Sequence, residues 1–238
     1  MVELGGFELG RVHCCDCLEA LKQLPDKCVD LVLTDPPYGE VNRPSGGLRL
    51  LDKGIADVIL YSEDEFIGQI IRVANKSIYV FCGTEQVSLV RSLMARSGLS
   101  TRLCIWEKTN PSPMNGQYMW LSSLECCVYG RQPKATFNEH CASAVWRCAS
   151  ENNQIHPTQK PLALFARLVL ASTDIGDLVI DPFAGSGTTG VAAVQLGRQF
   201  LGFEIDPEYC RLANDRIEAA RKGLKLNEYR AGQQTLFQ

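Results

Sequence analysis

The sequence predicts an α/β fold built on a mixed, mostly parallel sheet with helices on both faces. Three observations carry this. Val29-Asp30-Leu31-Val32-Leu33 and Leu178-Val179-Ile180 are short apolar runs that read as buried strands. Amphipathic stretches at Glu63–Val73 and Gln86–Ser97 alternate with strand-like stretches at 76–83 and 100–106, the rhythm of a parallel sheet with helical crossovers. The run at 178–180 then passes through a glycine-containing turn into an alanine-rich helix.

Bulk properties fit a single catalytic domain carrying an insertion. With 238 residues and 45% hydrophobic content, the chain can bury a substantial core. No apolar run reaches membrane-spanning length, and the first residues lack the form of a signal peptide, so a cytoplasmic location is expected. The net charge of −3 does not exclude a polyanionic partner, because binding depends on a local basic face. Arg43, Arg49, Lys53, Arg131, Lys134 and Arg147 are the candidate phosphate contacts. The 11 cysteines include one C-x-x-C at Cys14–Cys17 without a second pair to complete a zinc site, so they read as reduced thiols and no metal is expected.

In chain order, Glu8–Cys15 alternates as a strand. Asp16 closes it and can cap a short helix at Leu18–Lys22 that ends near Pro25. The strand at 29–33 then runs into Thr34-Asp35-Pro36-Pro37-Tyr38. A proline pair cannot continue a ladder, so the backbone breaks into an extended turn. That turn brings a carboxylate, a carbonyl and an aromatic face to one point. Such a group suits a flat heteroaromatic amine: Asp35 and the Pro36 carbonyl accept its N–H bonds while Tyr38 stacks on its ring.

Residues 39–56 lose periodicity and carry Pro44, Gly46-Gly47 and basic residues, as expected of a lid or binding loop. From Thr109 to Asn153 the strand-helix rhythm lapses, and prolines and aromatics suggest loops and short strands. His156-Pro157-Thr158-Gln159-Lys160-Pro161 leads into an apolar helix at Leu162–Ala171 whose start offers N–H groups to an anion. Helix 188–197, strand 199–203 and terminal Glu204 follow. A carboxylate about twenty residues past a glycine turn is placed to accept bonds from ribose hydroxyls. Tyr209–Lys222 is a charged amphipathic helix, and the rest is polar.

Asp35-Pro36-Pro37-Tyr38, Ile105-Trp106-Glu107-Lys108, the HPTQKP stretch at 156–161, Asp181-Pro182-Phe183-Ala184-Gly185-Ser186-Gly187-Thr188 and Gly202–Tyr209 together resemble the amino-group DNA methyltransferases that use S-adenosylmethionine. The DPPY element precedes the FxGxG element, which is the order of the family's beta subclass. The resemblance implies a permuted Rossmann-like class I methyltransferase fold: a catalytic half at 1–108, a small target-recognition insertion at 109–153, a cofactor half at 154–223 and a polar tail at 224–238. It assigns catalysis to Asp35, Pro36, Pro37 and Tyr38. The cofactor falls to Asp16, Thr158, Lys160, Asp181, Phe183, Gly185, Ser186, Gly187, Thr188 and Glu204, with the methionine carboxylate at the helix start after Pro161.

The activity this implies is methyl transfer to the N6 amine of an adenine rotated out of double-stranded DNA, in a bacterial or phage setting and often beside a restriction partner. The alternatives are the cytosine N4 amine, an RNA target, and a non-catalytic DNA-binding protein retaining the fold. Dimers are frequent in the subclass, so a homodimer is a further expectation. Gln233-Gln234-Thr235-Leu236-Phe237 resembles the QxxLF peptides that bind the replication sliding clamp, although a disordered tail is the simpler reading.

Overall fold

The computed structural model describes residues 2–37, 62–113, 116–151 and 159–235. Tyr38, the stretch 39–56 with Arg43, Arg49 and Lys53, His156, Thr158, Leu236 and Phe237 lie outside the described residues. An eight-stranded sheet runs in the order β3-β10-β9-β4-β5-β7-β6-β8. A hairpin of β1 (Glu3–Leu4) and β2 (Phe7–Glu8) precedes it. The strand expected over 8–15 is divided by a turn at Leu9 and Gly10, and only β3 (Arg11–Cys14) joins the main sheet.

Five strands form the parallel body: β3, β10 (Gln199–Glu204), β9 (Leu178–Asp181), β4 (Val29–Thr34) and β5 (Ala74–Cys82). β7 (Leu124–Arg131) runs antiparallel between β5 and β6 (Ser100–Lys108), and β8 (Val145–Cys148) lies parallel to β6 at the edge. The interval 109–153, expected as loops and short strands, joins the main sheet through its strands. It contributes two strands to the sheet, leaving 109–123 and 132–144 as its connections. Cys127, Val128 and Tyr129 are buried as sheet residues, whereas the prolines and the exposed aromatics Tyr118 and Trp120 lie in the connections.

Alternate residues of the central strands serve opposite faces, as the period of two requires. Leu31, Leu33, Tyr79 and Phe81 pack with α4 (Leu162–Ser172), α5 (Thr188–Gln195) and α6 (Pro207–Arg221). Val32, Ile78 and Val80 pack with α1 (Cys17–Gln23), α2 (Glu63–Val73) and α3 (Val87–Arg96). Helix starts follow their caps: Asp16, Ser62 and Asp206 accept first-turn N–H groups of α1, α2 and α6. Trp106 belongs to the core, 2% exposed, with Nε1 donating to the Cys148 carbonyl at 2.9 Å. The stretch after Lys222, expected as a structureless polar tail, forms α7 (Leu226–Thr235). Among the described residues no helix is long and apolar enough to cross a membrane.

Candidate active site

The candidate site lies at the carboxyl ends of the parallel strands, where the strand order reverses. β4 and β9 are neighbours, with Leu31 opposite Val179 and Val32 opposite Ile180. From this pair the sheet extends one way through β5 and the other way through β10. Asp35 and Phe183 each follow three residues behind a paired position, so the two turns emerge level and about one strand spacing apart, ~5 Å. Open α/β sheets bind ligands in this crevice.

Asp35 leaves β4 where Pro36 ends the ladder, and its carboxylate is ion-paired to the Lys160 ammonium. Lys160 is 8% exposed, stands 3.1 Å from Glu125 Oε2 and lies over the Phe81 ring at 5.3 Å from the centroid. The other Glu125 oxygen is 2.6 Å from Lys108 Nζ. Four charges thus alternate in sign from Asp35 to Lys108, contributed by the ends of β4, β6 and β7 and the approach to α4. Burial opposes the charge on Lys160, but Asp35 and Glu125 outweigh it and hold its pKa above the ordinary lysine value. Burial likewise pushes the Glu125 carboxyl up, and the Lys160 and Lys108 ammoniums more than reverse that.

On the other side of the crevice, β9 leads through the glycine turn into α5. Gly185 takes φ +50 with nothing within 4 Å of where a Cβ would stand. Gly187 takes φ +80 and abuts α6, where a Cβ would lie 2.9 Å from Ala213 Cβ. One glycine therefore leaves room in front of the turn and the other permits helix packing behind it. Glu204, at the end of β10, accepts the Gly185 N–H at 2.8 Å and the Asp206 N–H at 2.9 Å. Burial raises its pKa, and these bonds partly offset the rise. Asp16 follows β3 next door, where Cys14 pairs with Glu204, and its exposed carboxylate caps α1 through Glu19 N at 3.0 Å.

Several expected cofactor residues also make bonds within the fold. Asp181 is 3% exposed and braces its own turn, accepting Thr189 Oγ1 at 2.5 Å and Phe183 N at 3.1 Å. Burial drives its pKa up to about 7, with the neighbouring Asp35 charge adding to the rise. The Phe183 ring sits edge-on to Phe66 at 5.1 Å. Ser186 and Thr188 are buried, and Arg216 of α6 donates to the Ser186 carbonyl at 2.6 Å. Lys160 pairs with Asp35 on the turn after β4 rather than with the glycine turn. The α4 start, expected to take the cofactor's carboxylate, is capped by the chain's own Glu151, which accepts Leu162 N at 2.8 Å. Of the candidate phosphate contacts, Arg131 donates to the Ala135 carbonyl and Arg147 is paired with Glu107.

Glu125, Arg216 and Glu151 were not singled out in the sequence, and Lys108 entered only as part of the stretch 105–108. Arg216 left one signal, a cation on the same helical face as buried Ala213 and Ile217. Glu125 lay in an interval where short strands were expected but not placed, so nothing pointed it inward. All described cysteines are free thiols, and no group of three or more His, Cys, Asp or Glu side chains among the described residues is placed to hold a metal.

A mixed sheet with a proline-broken carboxylate turn and a glycine turn side by side at its switch point has the architecture of a class I methyltransferase. A family model described as DNA methylase matches residues 128–215. The type II methyltransferase M2.DpnII of Streptococcus pneumoniae is 30% identical over 235 residues, covering 86% of this chain and 88% of that protein. The DNA adenine methyltransferase YhdJ of Escherichia coli (strain K12) is 31% identical over 242 residues, covering 86% and 81%. The crystal structure of the M1.HpyAVI-SAM complex superposes with a TM-score of 0.68 at 28% identity, over 87% of this chain and 98% of that one. The cytosine-N4-specific PvuII methyltransferase, at 18% identity and a TM-score of 0.68, shares the fold. The chain belongs to the amino-group DNA methyltransferase family.

Proposed function

We infer that this protein transfers a methyl group from S-adenosylmethionine to the N6 amine of adenine in double-stranded DNA. The observation that carries the reading is the β4–β9 pairing, which sets Asp35 beside the glycine turn. The relative named as a DNA adenine methyltransferase supports adenine over cytosine. The cofactor, when bound, supplies a methyl group already activated by its sulfonium. The residues present fit it: the open approach at Gly185, the oriented Glu204 carboxylate beside it and the exposed Asp16 carboxylate next door suit the hydroxyls and amine of an adenosyl group.

Asp35 would accept a hydrogen of the target amine, with the Pro36 carbonyl as a second acceptor. Two acceptors draw the nitrogen toward the pyramidal, nucleophilic form and stabilise the positive charge developing there. Lys160 fixes the Asp35 carboxylate, and Glu125 with Lys108 fixes Lys160, so the acceptor is positioned before the base arrives. Tyr38, two residues past Pro36 in the sequence, is assigned the stacking face. A homodimer on DNA, clamp binding through Gln233 to Phe237 and a cytoplasmic location complete the proposal. A clamp surface that retains the full chain no better than one ending at Gly232 would remove the clamp from it.

The test is to incubate the protein with unmethylated DNA and S-adenosylmethionine, hydrolyse the DNA and identify the modified nucleoside by mass spectrometry beside Asp35→Ala. N6-methyladenine from the unmodified chain, lost in the variant, is the expected result. N4-methylcytosine would overturn the target, and no product despite cofactor binding would overturn the reaction.

A further inference from the structure

Tyr118, Met119 and Trp120 form an exposed tip on the connection between β6 and β7. We propose that this tip inserts into DNA, with Trp120 entering the base step vacated by the rotated adenine. The proposal rests on the DNA-methylation reading above.

Trp120 is 96% exposed, Tyr118 81% and Met119 66%, whereas the other two tryptophans, Trp106 and Trp146, are 2% and 6% exposed. Leaving so much apolar ring area in water is costly unless a partner covers it. The tip has a braced base. Gly116 N donates to the Pro113 carbonyl at 3.0 Å, and Leu121 packs so close to Gly116 that a Cβ there would stand 2.7 Å from Leu121 Cδ2. Ser123 N bonds the Leu121 carbonyl at 2.8 Å, and Lys108 N bonds the Ser123 carbonyl at 2.7 Å.

The topology aims this element at the catalytic turn. β7 is antiparallel to β5 with Cys82 opposite Cys126, so the start of β7 and the end of β6 lie at the carboxyl ends of the parallel strands, where Asp35 emerges. Glu125 is five residues beyond Trp120 and joins Asp35 through Lys160. Five residues span at most ~18 Å, about half of a ~34 Å helical turn of B-DNA. A duplex presenting a base to Asp35 therefore meets the tip within the same turn.

A rotated base leaves an unstacked step that costs a few kcal/mol. A flat side chain entering that step restores stacking to its neighbours, and both Trp and Tyr offer the needed face. Unlike a hydrogen-bonding reader, such a wedge acts on any sequence. It lowers the cost of holding the base out and leaves the choice of site to other residues.

Trp120 is the one readily quenched indole of three, so the native chain carries its own reporter. Protein saturated with kilobase-length unmethylated duplex DNA and S-adenosylhomocysteine should show acrylamide quenching of tryptophan emission reduced about threefold or more, as stacking shields the ring. Trp120→Ala should lower kcat/KM for DNA by roughly tenfold or more, keep the wild-type melting temperature and cofactor affinity, and be rescued by Trp120→Phe. After the target adenine has been mapped, 2-aminopurine at that position should brighten less with Trp120→Ala than with the native chain.

The proposal is overturned if DNA-bound protein remains as quenchable as free protein while Trp120→Ala methylates at the native rate. Protection that grows with protein concentration without DNA would also overturn it, assigning the tip to contact between copies. Failure of the native chain to bind or methylate DNA at all would overturn the parent reading as well, and methylation assayed alone identifies that case.

Discussion

The Lys160 ammonium is ion-paired to Asp35 and lies 3.1 Å from Glu125, so the carboxylate assigned to the target amine is itself held by a buried cation. A buried ion pair adds little net stability when intact, because desolvation offsets the attraction, but removing one partner leaves uncompensated charge. Its value here is positional. Asp35 sits on a proline turn at a strand end, and Lys160 ties that turn to the approach of α4.

Lys160→Met should therefore destabilise the fold by about 3–5 kcal/mol, since it leaves the Asp35 and Glu125 carboxylates facing each other. Lys160→Met combined with Glu125→Gln should recover part of that loss. Urea unfolding of the three chains checks both statements, and a Lys160→Met chain as stable as the native protein would dismiss the ion chain as a structural feature. In the refolded double variant kcat should remain depressed, because the anchor of Asp35 is still missing.

Asp181 gives stability a definite pH dependence. Burial raises its folded pKa from 3.8 to about 7, so between those values the folded chain holds a proton that the unfolded chain has released. Stability must then fall as pH rises from about 4 to 7, by up to about 4 kcal/mol for a shift of this size. Asp181→Asn keeps an acceptor for Phe183 N and lets the Thr189 hydroxyl turn to accept. The variant should lose this slope, seen as a native-minus-variant stability difference that changes steadily over pH 4–7. A constant difference across the range would show that Asp181 is ionised when folded.

The fold and the two turns were legible because each is local: a buried strand, then residues whose backbone chemistry forces a turn. Asp35 and Glu204 stand at strand ends, where a sequence pattern can place them. The charge chain was not legible, because Lys160, Glu125 and Lys108 come from segments brought together only by the antiparallel insertion of β7. Short strands were expected within 109–153, but none was located there. Val128 and Tyr129 are apolar and buried, but flanking prolines and aromatics masked an eight-residue strand. Nor did motif position alone reveal that both carboxylate oxygens of Asp181 bond the glycine turn and the helix after it.

The thiols should sort by exposure. Cys14 and Cys141 are exposed, whereas burial pushes the Cys17 and Cys82 thiols up to about 12 and the Cys104 thiol to about 11. The thiolate is the reactive form, so iodoacetamide at pH 8 should label Cys14 and Cys141 first in native protein. Peptide mapping after brief exposure reads the order. Early labelling of Cys82, next to the Asp35 turn, would mean that the crevice opens far more than its burial indicates.

The two glycines of the cofactor turn should separate binding from folding. Both lie in the left-handed region, so alanine at either costs about 1–2 kcal/mol in backbone strain. At Gly187 the added methyl also meets Ala213 Cβ at 2.9 Å and its Cα at 3.0 Å, atoms of a helix that cannot yield as a flexible side chain would. Overpacking adds about 1–3 kcal/mol, so Gly187→Ala should melt well below Gly185→Ala. At Gly185 the methyl meets nothing within 4 Å in the chain and enters the open space before the turn. Gly185→Ala should thus stay folded yet weaken S-adenosylmethionine binding by about tenfold or more, a misfit of the size that one extra methyl produces in a packed site. Calorimetric titration and thermal unfolding of both variants separate the effects. Equal melting temperatures would mean that α6 yields to the added methyl at Gly187, and undiminished cofactor affinity in Gly185→Ala would mean that the open face of the turn is not where the ligand lies.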